Sequence, residues 1–342
     1  MSPGMTTSAF GPPDGFVGHA SSSLLYSGQA REGSGVEVSK IGARVICNPA
    51  SGGGSALDAV REKLADLDAE WIDTEGTGDA RKAAGEWTDG LLVVAGGDGT
   101  INEVVNGLGQ AGFPENVTLA IWPTGTGNDL AKTLEISDDP DEICKTIREN
   151  RVRALDVARV RSERTGERFF INVATGGIGA EISDANDEEM KSRWGKLSYL
   201  RAYLEVARNF DAQEVKLTLD GEERRVRAVN IVIGNCRYIG GGWLAAPKAN
   251  PEDGLLDVVV IEDGGLKEIL ALAPSAFLES DYLDKEGVFS ARAKEIQVKT
   301  RPGGLEFTAD GELIGDEPAV FSVMPGALKV VVGQDYTPEP GE

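Results

Sequence analysis

Three aspartates stand beside glycines in short, turn-forming runs: Asp98 in "GGDGTINE" (96–103), Asp129 in "PTGTGNDLAK" (123–132) and Asp310 in "TADGE" (308–312). A further glycine-rich run, "NPASGGGS" (48–55), has no acid. Glycine lets a backbone approach a polyphosphate closely, and the N–H groups of a turn and a following helix start make a concave anion site. A carboxylate in such a turn repels the ligand unless a divalent cation lies between them, and Mg²⁺ is normally held by one or two carboxylates plus phosphate oxygens. On this reading Gly96, Gly97 and Gly99 make room for phosphates, Thr100 and Asn102 donate to them, and Asp98 faces their metal. The only histidine is His19, so a general base here is a carboxylate, a lysine or a similar group. Asp310 follows "LEFTA" and can project from a strand end to accept a proton. Each feature also has a plainer explanation. A strand-to-helix turn often carries glycine for steric reasons, Asp-Gly at 310–311 suits a tight hairpin turn, and Asp129 suits a helix start.

The elements that must position these residues change character along the chain. From Ile41, short β-rich runs alternate with helical stretches: "ARVICNP", "ALDAVREKLADLDA", "EWIDT", "GDARKAAGEW", "LLVVAGG", "TINEVVNGL", "TLAIWP" and "GNDLAKTL". In the first helical stretch Leu57, Val60, Leu64 and Leu67 recur at helical spacing. This alternation predicts a parallel sheet with helices on its faces, and ligands of such sheets bind beyond the carboxyl ends of the strands, where the glycine-rich turns fall. After about Arg151 short, often alternating strands predominate, which predicts an antiparallel sandwich. A helix, "SRWGKLSYLRAYLEVARNF" (192–210), interrupts them. Residues 1–40, rich in Gly, Ser and Pro, read as a mobile leader.

With 342 residues, the chain is long enough for two domains. Its net charge of −22 argues against a nucleic-acid binder, because phosphate contacts need a basic face. Arg outnumbers Lys by 20 to 14, and an acidic, Lys-poor composition points to a salt-loving cytoplasm, where screening silences surface repulsion. Cys47, Cys144 and Cys236 are far apart and form no C-x-x-C pair, so neither a disulfide framework nor a zinc site follows. No run has the length and apolarity of a membrane span, and the N-terminus lacks signal-peptide features. The expected location is cytoplasmic, with transient membrane contact.

Neither G-x-G-x-x-G nor G-x-x-x-x-G-K-[ST] occurs in the glycine-rich turns at 48–55, 96–103 and 123–132. Together with "GNCRYIGGGWLAAPKANPEDGLLDVVVI" and "TADGE", however, they resemble the diacylglycerol kinase catalytic-domain family, which includes bacterial soluble lipid kinases and the sphingosine and ceramide kinases. The resemblance spans about residues 41–333; "GGDGT" alone is shared with NAD kinases and phosphofructokinases. It implies an α/β nucleotide-binding domain (41–150, with a returning segment 320–333) and a C-terminal antiparallel β-sandwich (151–319), with ATP-dependent phosphorylation of a lipid hydroxyl in the cleft between them. Carried over by motif, Asn48, Ser51, Gly52, Gly97, Asp98, Gly99, Thr100, Ile101, Asn102, Glu103, Thr126 and, more loosely, Thr74 contact ATP. Asp98 and Asp129 organise Mg²⁺. Asp310 is the general base, with Glu312 assisting at the metal or nucleotide. A structural metal is implied near "NPEDGLLD", held by the Asp253 side chain and the carbonyls of Asn250 and Leu255. Homodimers are common in the family.

Two departures stand out. Many relatives carry Lys or Arg just after the first glycines, where this chain has Ser-Ala; Lys132 and Arg237 are the candidates to replace it. Ala180 and Glu181 replace residues that in relatives are more often an aromatic and Asp. The helix around 191–208 reverses the local charge, with Lys191, Arg193, Lys196, Arg201 and Arg208 among aromatics. That pattern suits contact with anionic lipid headgroups, or an ordinary amphipathic helix packed on the sandwich. Two rival functions remain open: a NAD or sugar kinase sharing "GGDGT", and a non-catalytic lipid carrier of the same fold.

Overall fold

The computed structural model describes residues 42–178, 210–263, 280–301, 304–316 and 318–339. The leader with His19, Ala180 and Glu181, and the basic aromatic segment 191–208 lie outside the described residues.

Alternating strands and helices open the fold: β1 (Ala43–Cys47), α1 (Gly54–Lys63), β2 (Ala69–Asp73), α2 (Asp79–Gly85), β3 (Gly90–Gly96), α3 (Asp98–Gln110), β4 (Val117–Pro123), α4 (Asp129–Thr133) and α5 (Pro140–Glu149). The strands are parallel in the order β2-β1-β3-β4. Every residue of β3 is buried, as expected of a central strand covered on both faces. Strand alternation divides it: Leu92 and Val94 face a core with Ile101, Val104 and Leu108 of α3, while Leu91 and Val93 face one with Val60 of α1 and Ile143 and Ile147 of α5. Each such fully buried aliphatic side chain contributes about 1.5–3 kcal/mol of transfer free energy.

Helix α1 is shorter than its periodicity predicts. Its ladder ends with Leu64 N–H on Val60, and a turn from Leu64 to Leu67 lets β2 begin at Ala69. Helix α5, to which the sequence analysis assigns no element, is well signalled: Asp139 accepts hydrogen bonds from the N–H groups of Asp141 and Glu142, Pro140 occupies the first turn, and Asn150 closes the helix in the left-handed region.

The remainder is mostly antiparallel: β5 (Val152–Ser162), β6 (Gly166–Phe170), β7 (Val173–Gly177), β8 (Gln213–Leu219), β9 (Glu222–Gly234), the short pair β10 (Tyr238–Ile239) and β11 (Trp243–Leu244), β12 (Leu256–Glu262), β13 (Val288–Ala293), β14 (Glu295–Lys299), β15 (Phe307–Ala309), β16 (Glu312–Gly315) and β17 (Ala319–Val331). Phe170, Leu217, Ile231, Ile233, Phe307 and Phe321 fill the space between its layers. This is an α/β layer followed by an antiparallel β-sandwich.

Strand β17 joins the two. Its first half pairs with β14, and its second half lies parallel to β4 through Lys329 and Val330. The register against β5 shifts between Met324 and Leu328, around Pro325, which has no N–H for a ladder. Hydrogen bonding therefore runs unbroken from β16 at one edge to β2 at the other.

Candidate functional site

The three glycine-rich turns leave the carboxyl ends of β1, β3 and β4 side by side. Asn48 Nδ2 donates to Thr100 Oγ1 at 2.8 Å, and Thr124 Oγ1 donates to Ser51 Oγ at 2.9 Å. A Cβ on Gly125 would stand 2.6 Å from the Gly97 Cα, and one on Gly52 would stand 2.4 Å from the Thr124 carbonyl oxygen. Much of the glycine is thus needed for turn-on-turn packing. Gly99 differs, since its Cβ would meet nothing within 4 Å. Beside these turns lies a cleft of about 560 Å³ lined by Asn48, Ser51, Gly52, Thr74, Gly97, Gly99, Thr100, Glu103, Thr126 and Glu312.

Three residues of the "GGDGTINE" run sit differently from the sequence reading. The Ile101 side chain is buried in the core and its N–H bonds to the Gly97 carbonyl, so it holds the turn rather than facing the cleft. Asn102 is buried and its side-chain amide turns toward Asp310. Glu103 borders the cleft, but its carboxylate accepts hydrogen bonds from the N–H groups of Gly78 (2.9 Å) and Arg81 (3.4 Å), capping the start of α2.

Behind the turns the acids gather. Asp98 Oδ1 accepts a hydrogen bond from the first N–H of α4, that of Asp129, at 2.8 Å, and no described residue donates to its Oδ2. Burial, then the negative charge of Asp129, push the Asp98 carboxyl up to about 6, with Asp310 adding to the effect. The Asp129 carboxylate is itself cradled by backbone. Gly241 and Gly242 N–H groups donate to it at 3.0 and 2.7 Å, from a run in which Gly240, Gly241 and Gly242 all have positive φ. Such a left-handed run aims successive N–H groups inward, which only glycine does without strain. Burial raises Asp129, while these amides and Lys132 pull the other way. The donor set suits a cation: a partly buried carboxylate oxygen without a hydrogen bond, in a field of neighbouring acids that a positive charge would relieve.

Asp310 is a hairpin residue and an inward-facing acid at once. It and Gly311 have φ of 46° and 83° between β15 and β16, the left-handed pair a two-residue hairpin needs. Its carboxylate accepts hydrogen bonds from the N–H groups of Ile171 (2.8 Å), Asn172 (3.0 Å) and Val173 (3.0 Å), with Asn102 Nδ2 further off at 3.4 Å. Burial outweighs these four donors and pushes its carboxyl up to about 6.

Comparison with known proteins places this arrangement. Residues 42–160 match the diacylglycerol kinase catalytic domain, and residues 172–332 match the YegS C-terminal NAD kinase beta sandwich-like domain. The chain is 30% identical over 308 residues to a diacylglycerol kinase of Mycobacterium tuberculosis, covering 86% of this chain and 96% of that one. The chain belongs to the diacylglycerol kinase catalytic-domain family. A diacylglycerol kinase of Bacillus subtilis is 28% identical over 302 residues, covering 86% of this chain and 97% of the other. The solved structure of a diacylglycerol kinase from Bacillus anthracis superimposes with a TM-score of 0.65 at 27% identity, covering 87% of this chain and 99% of that one.

In the loop at 250–257, where the structural metal is expected, the Asp253 carboxylate is engaged within the protein. Asp253 Oδ1 accepts the Leu255 N–H at 2.9 Å and Oδ2 pairs with Arg292 at 3.3 Å. The oxygen left without a partner is the buried Oδ2 of Asp257, whose carboxyl burial and Asp253 push up to about 6. The two replacements for the missing basic residue are also engaged. Arg237 is buried and donates to the carbonyls of Ala249, Thr337 and Pro338, and Lys132 donates to the Gly127 carbonyl beside Asp129.

Asn106 escaped the sequence analysis. Its Nδ2 donates to the carbonyls of Phe169 (2.8 Å) and Asn102 (3.0 Å), and its Oδ1 accepts the Phe169 N–H at 3.0 Å. It fastens α3 to the strand that leads into the amides around Asp310. The available signal was its position four residues after Asn102, one turn along the same helix face.

Proposed function

We propose that the protein is an ATP- and Mg²⁺-dependent lipid kinase that phosphorylates the hydroxyl of diacylglycerol or a related lipid, ether lipids included, with Asp310 as general base. The observation that carries this reading is the Asp310 carboxylate. It lies where the sandwich meets α3, both oxygens are held by backbone amides, and its charge is felt by Asp98.

On this reading the triphosphate lies in the cleft along the glycine-rich turns, with Gly99 opening toward it, and the lipid hydroxyl approaches Asp310. The Asn102 contact at 3.4 Å is the longest of the four on that carboxylate, and the hydroxyl displaces it. As the lipid oxygen bonds to the γ-phosphorus, its proton passes to Asp310 and ADP leaves. Asp98, with Asp129 behind it, would hold the Mg²⁺. That cation supplies charge neutralisation for the transferring phosphoryl group. Glu312, which borders the cleft one residue past the hairpin turn, assists there. The lipid reaches the site by peripheral contact with a membrane. Among the described residues no helix is long and apolar enough to cross one.

The test is transfer from γ-labelled ATP with Mg²⁺ to diacylglycerol, sphingosine, NAD and fructose 6-phosphate, over a range of salt concentrations because of the charge of −22. Label on a lipid alone supports the reading. Label on NAD or the sugar replaces it with the rival kinase, and a co-purifying lipid with no transfer at any salt replaces it with a carrier.

A further inference from the structure

The cleft poses an electrostatic problem. Glu75, Glu103 and Glu312 border it and, among the described residues, no Lys or Arg does, yet the reading above, on which this inference rests, fills it with a triphosphate. Backbone N–H groups and one divalent cation leave part of that charge unmatched. The first turn brings no basic side chain, and Lys132 and Arg237 are spent on carbonyls.

One guanidinium reaches the rim. Arg81 Nη2 lies 3.6 Å from Glu312 Oε1, too far for a good hydrogen bond, and Arg81 Nε is buried with no hydrogen-bond partner. A buried N–H without an acceptor calls for an explanation, and an acceptor that arrives with a ligand supplies one. The side chain also starts from a fixed origin. The Arg81 N–H is held by Glu103, and its carbonyl abuts α3 so closely that a Cβ on Gly107 would stand 2.1 Å from it. Gly85, one turn on, would place its Cβ 3.2 Å from the Gly107 carbonyl oxygen. Helices α2 and α3 therefore meet backbone to backbone, and Ala80, next to Arg81, is part of the cleft wall.

We propose that Arg81 is the cationic residue that grips the triphosphate tail in this chain, held at the rim by Glu312 until nucleotide arrives. With nucleotide bound, the guanidinium turns its donors, Nε among them, to phosphate oxygens, two of which its planar fork can engage at once, as Lys cannot. Glu312 is released toward the metal side of the cleft. Using a helix arginine in place of a turn Lys or Arg moves the positive charge from the phosphate-binding loop to the wall facing it.

The experiment compares wild type, Arg81→Gln and Arg81→Lys in equilibrium binding of a non-hydrolysable ATP analogue with Mg²⁺ and of AMP, and in steady-state kinetics with diacylglycerol vesicles. Arg81→Gln should weaken the ATP analogue about 10- to 100-fold, the loss expected for one or two charge-assisted hydrogen bonds. AMP binding and the KM for lipid should stay as they are, and Arg81→Lys should recover part of the loss. An Arg81→Gln protein that binds the analogue like wild type overturns the assignment, as does one that loses AMP and ATP analogue alike, which marks a structural role. Wild type that binds neither nucleotide overturns the nucleotide reading of the cleft itself, and the assignment with it.

Discussion

Replacing Asp310 by asparagine separates chemistry from folding with little change in shape. The wild-type carboxyl, moved from 3.8 to about 6 by burial, is ionised at neutral pH at a cost of about 3 kcal/mol relative to the unfolded chain. The amide removes that cost. Against it, an amide has one acceptor oxygen. If this takes the place of Oδ1 and keeps the N–H groups of Asn172 and Val173, the new NH₂ faces the Ile171 N–H and Asn102 Nδ2, donor against donor. An orphaned Ile171 N–H costs about 1–3 kcal/mol. The two effects are of similar size and opposite sign, so the variant should unfold at a urea midpoint close to wild type. Loss of a general base lowers turnover about 10²- to 10⁴-fold. The assay is kcat with labelled ATP and diacylglycerol vesicles, alongside the urea midpoint and a pH profile of kcat/KM. Wild type should lose activity as pH falls through about 6, and the residual activity of the variant should lack that limb. A variant with an unchanged midpoint and kcat within threefold of wild type would refute the assignment.

The raised acids make stability depend on pH. Asp98, Asp257 and Asp310 keep their protons to about 6 in the fold and lose them near 3.8 when unfolded, so the folded state binds more protons in between and stability falls as pH rises through that window. The cation-free protein should melt higher at pH 5 than at pH 7.5, with Mg²⁺ recovering part of the difference; a melting temperature that climbs over that range contradicts the geometry. Asn106→Ala strips partners from both backbone groups of Phe169 and should cost about 2–5 kcal/mol in urea unfolding, with kcat falling more than the KM for ATP. Gly242→Ala forces a Cβ onto a residue at φ 104° within 3.1 Å of Lys132 Nζ. It should cost about 1–3 kcal/mol and weaken Mg²⁺ binding measured by calorimetry, whereas an unchanged Mg²⁺ isotherm would separate the glycine cradle from the metal site.

What the chain announces in one dimension is periodicity and turn chemistry. The β3 run is apolar throughout because both of its faces are covered. The alternating strands after Arg151 specify a sandwich, and the three glycine-rich turns identify the edge where a ligand belongs. Together they were enough to read the fold class and the family. Local pattern also misled, because it does not say which way a residue faces: Asn102 and Glu103 sit in the most telling motif, yet one turns to Asp310 and the other caps α2. Helix α5 is marked by its caps, Asp139-Pro140 at the start and Asn150 at the close, rather than by the strand-and-helix alternation that reveals its neighbours. The contacts that make a site are non-local. Asp310 meets amides about 137 residues away in sequence, Asp129 is wrapped by glycines at 241 and 242, and Arg81 reaches Glu312. These pairings depend on how β17 ties the sandwich to the parallel sheet. Short-range propensity is blind to them, because burial, amide orientation and the field of a neighbouring charge exist only once distant segments have been packed together.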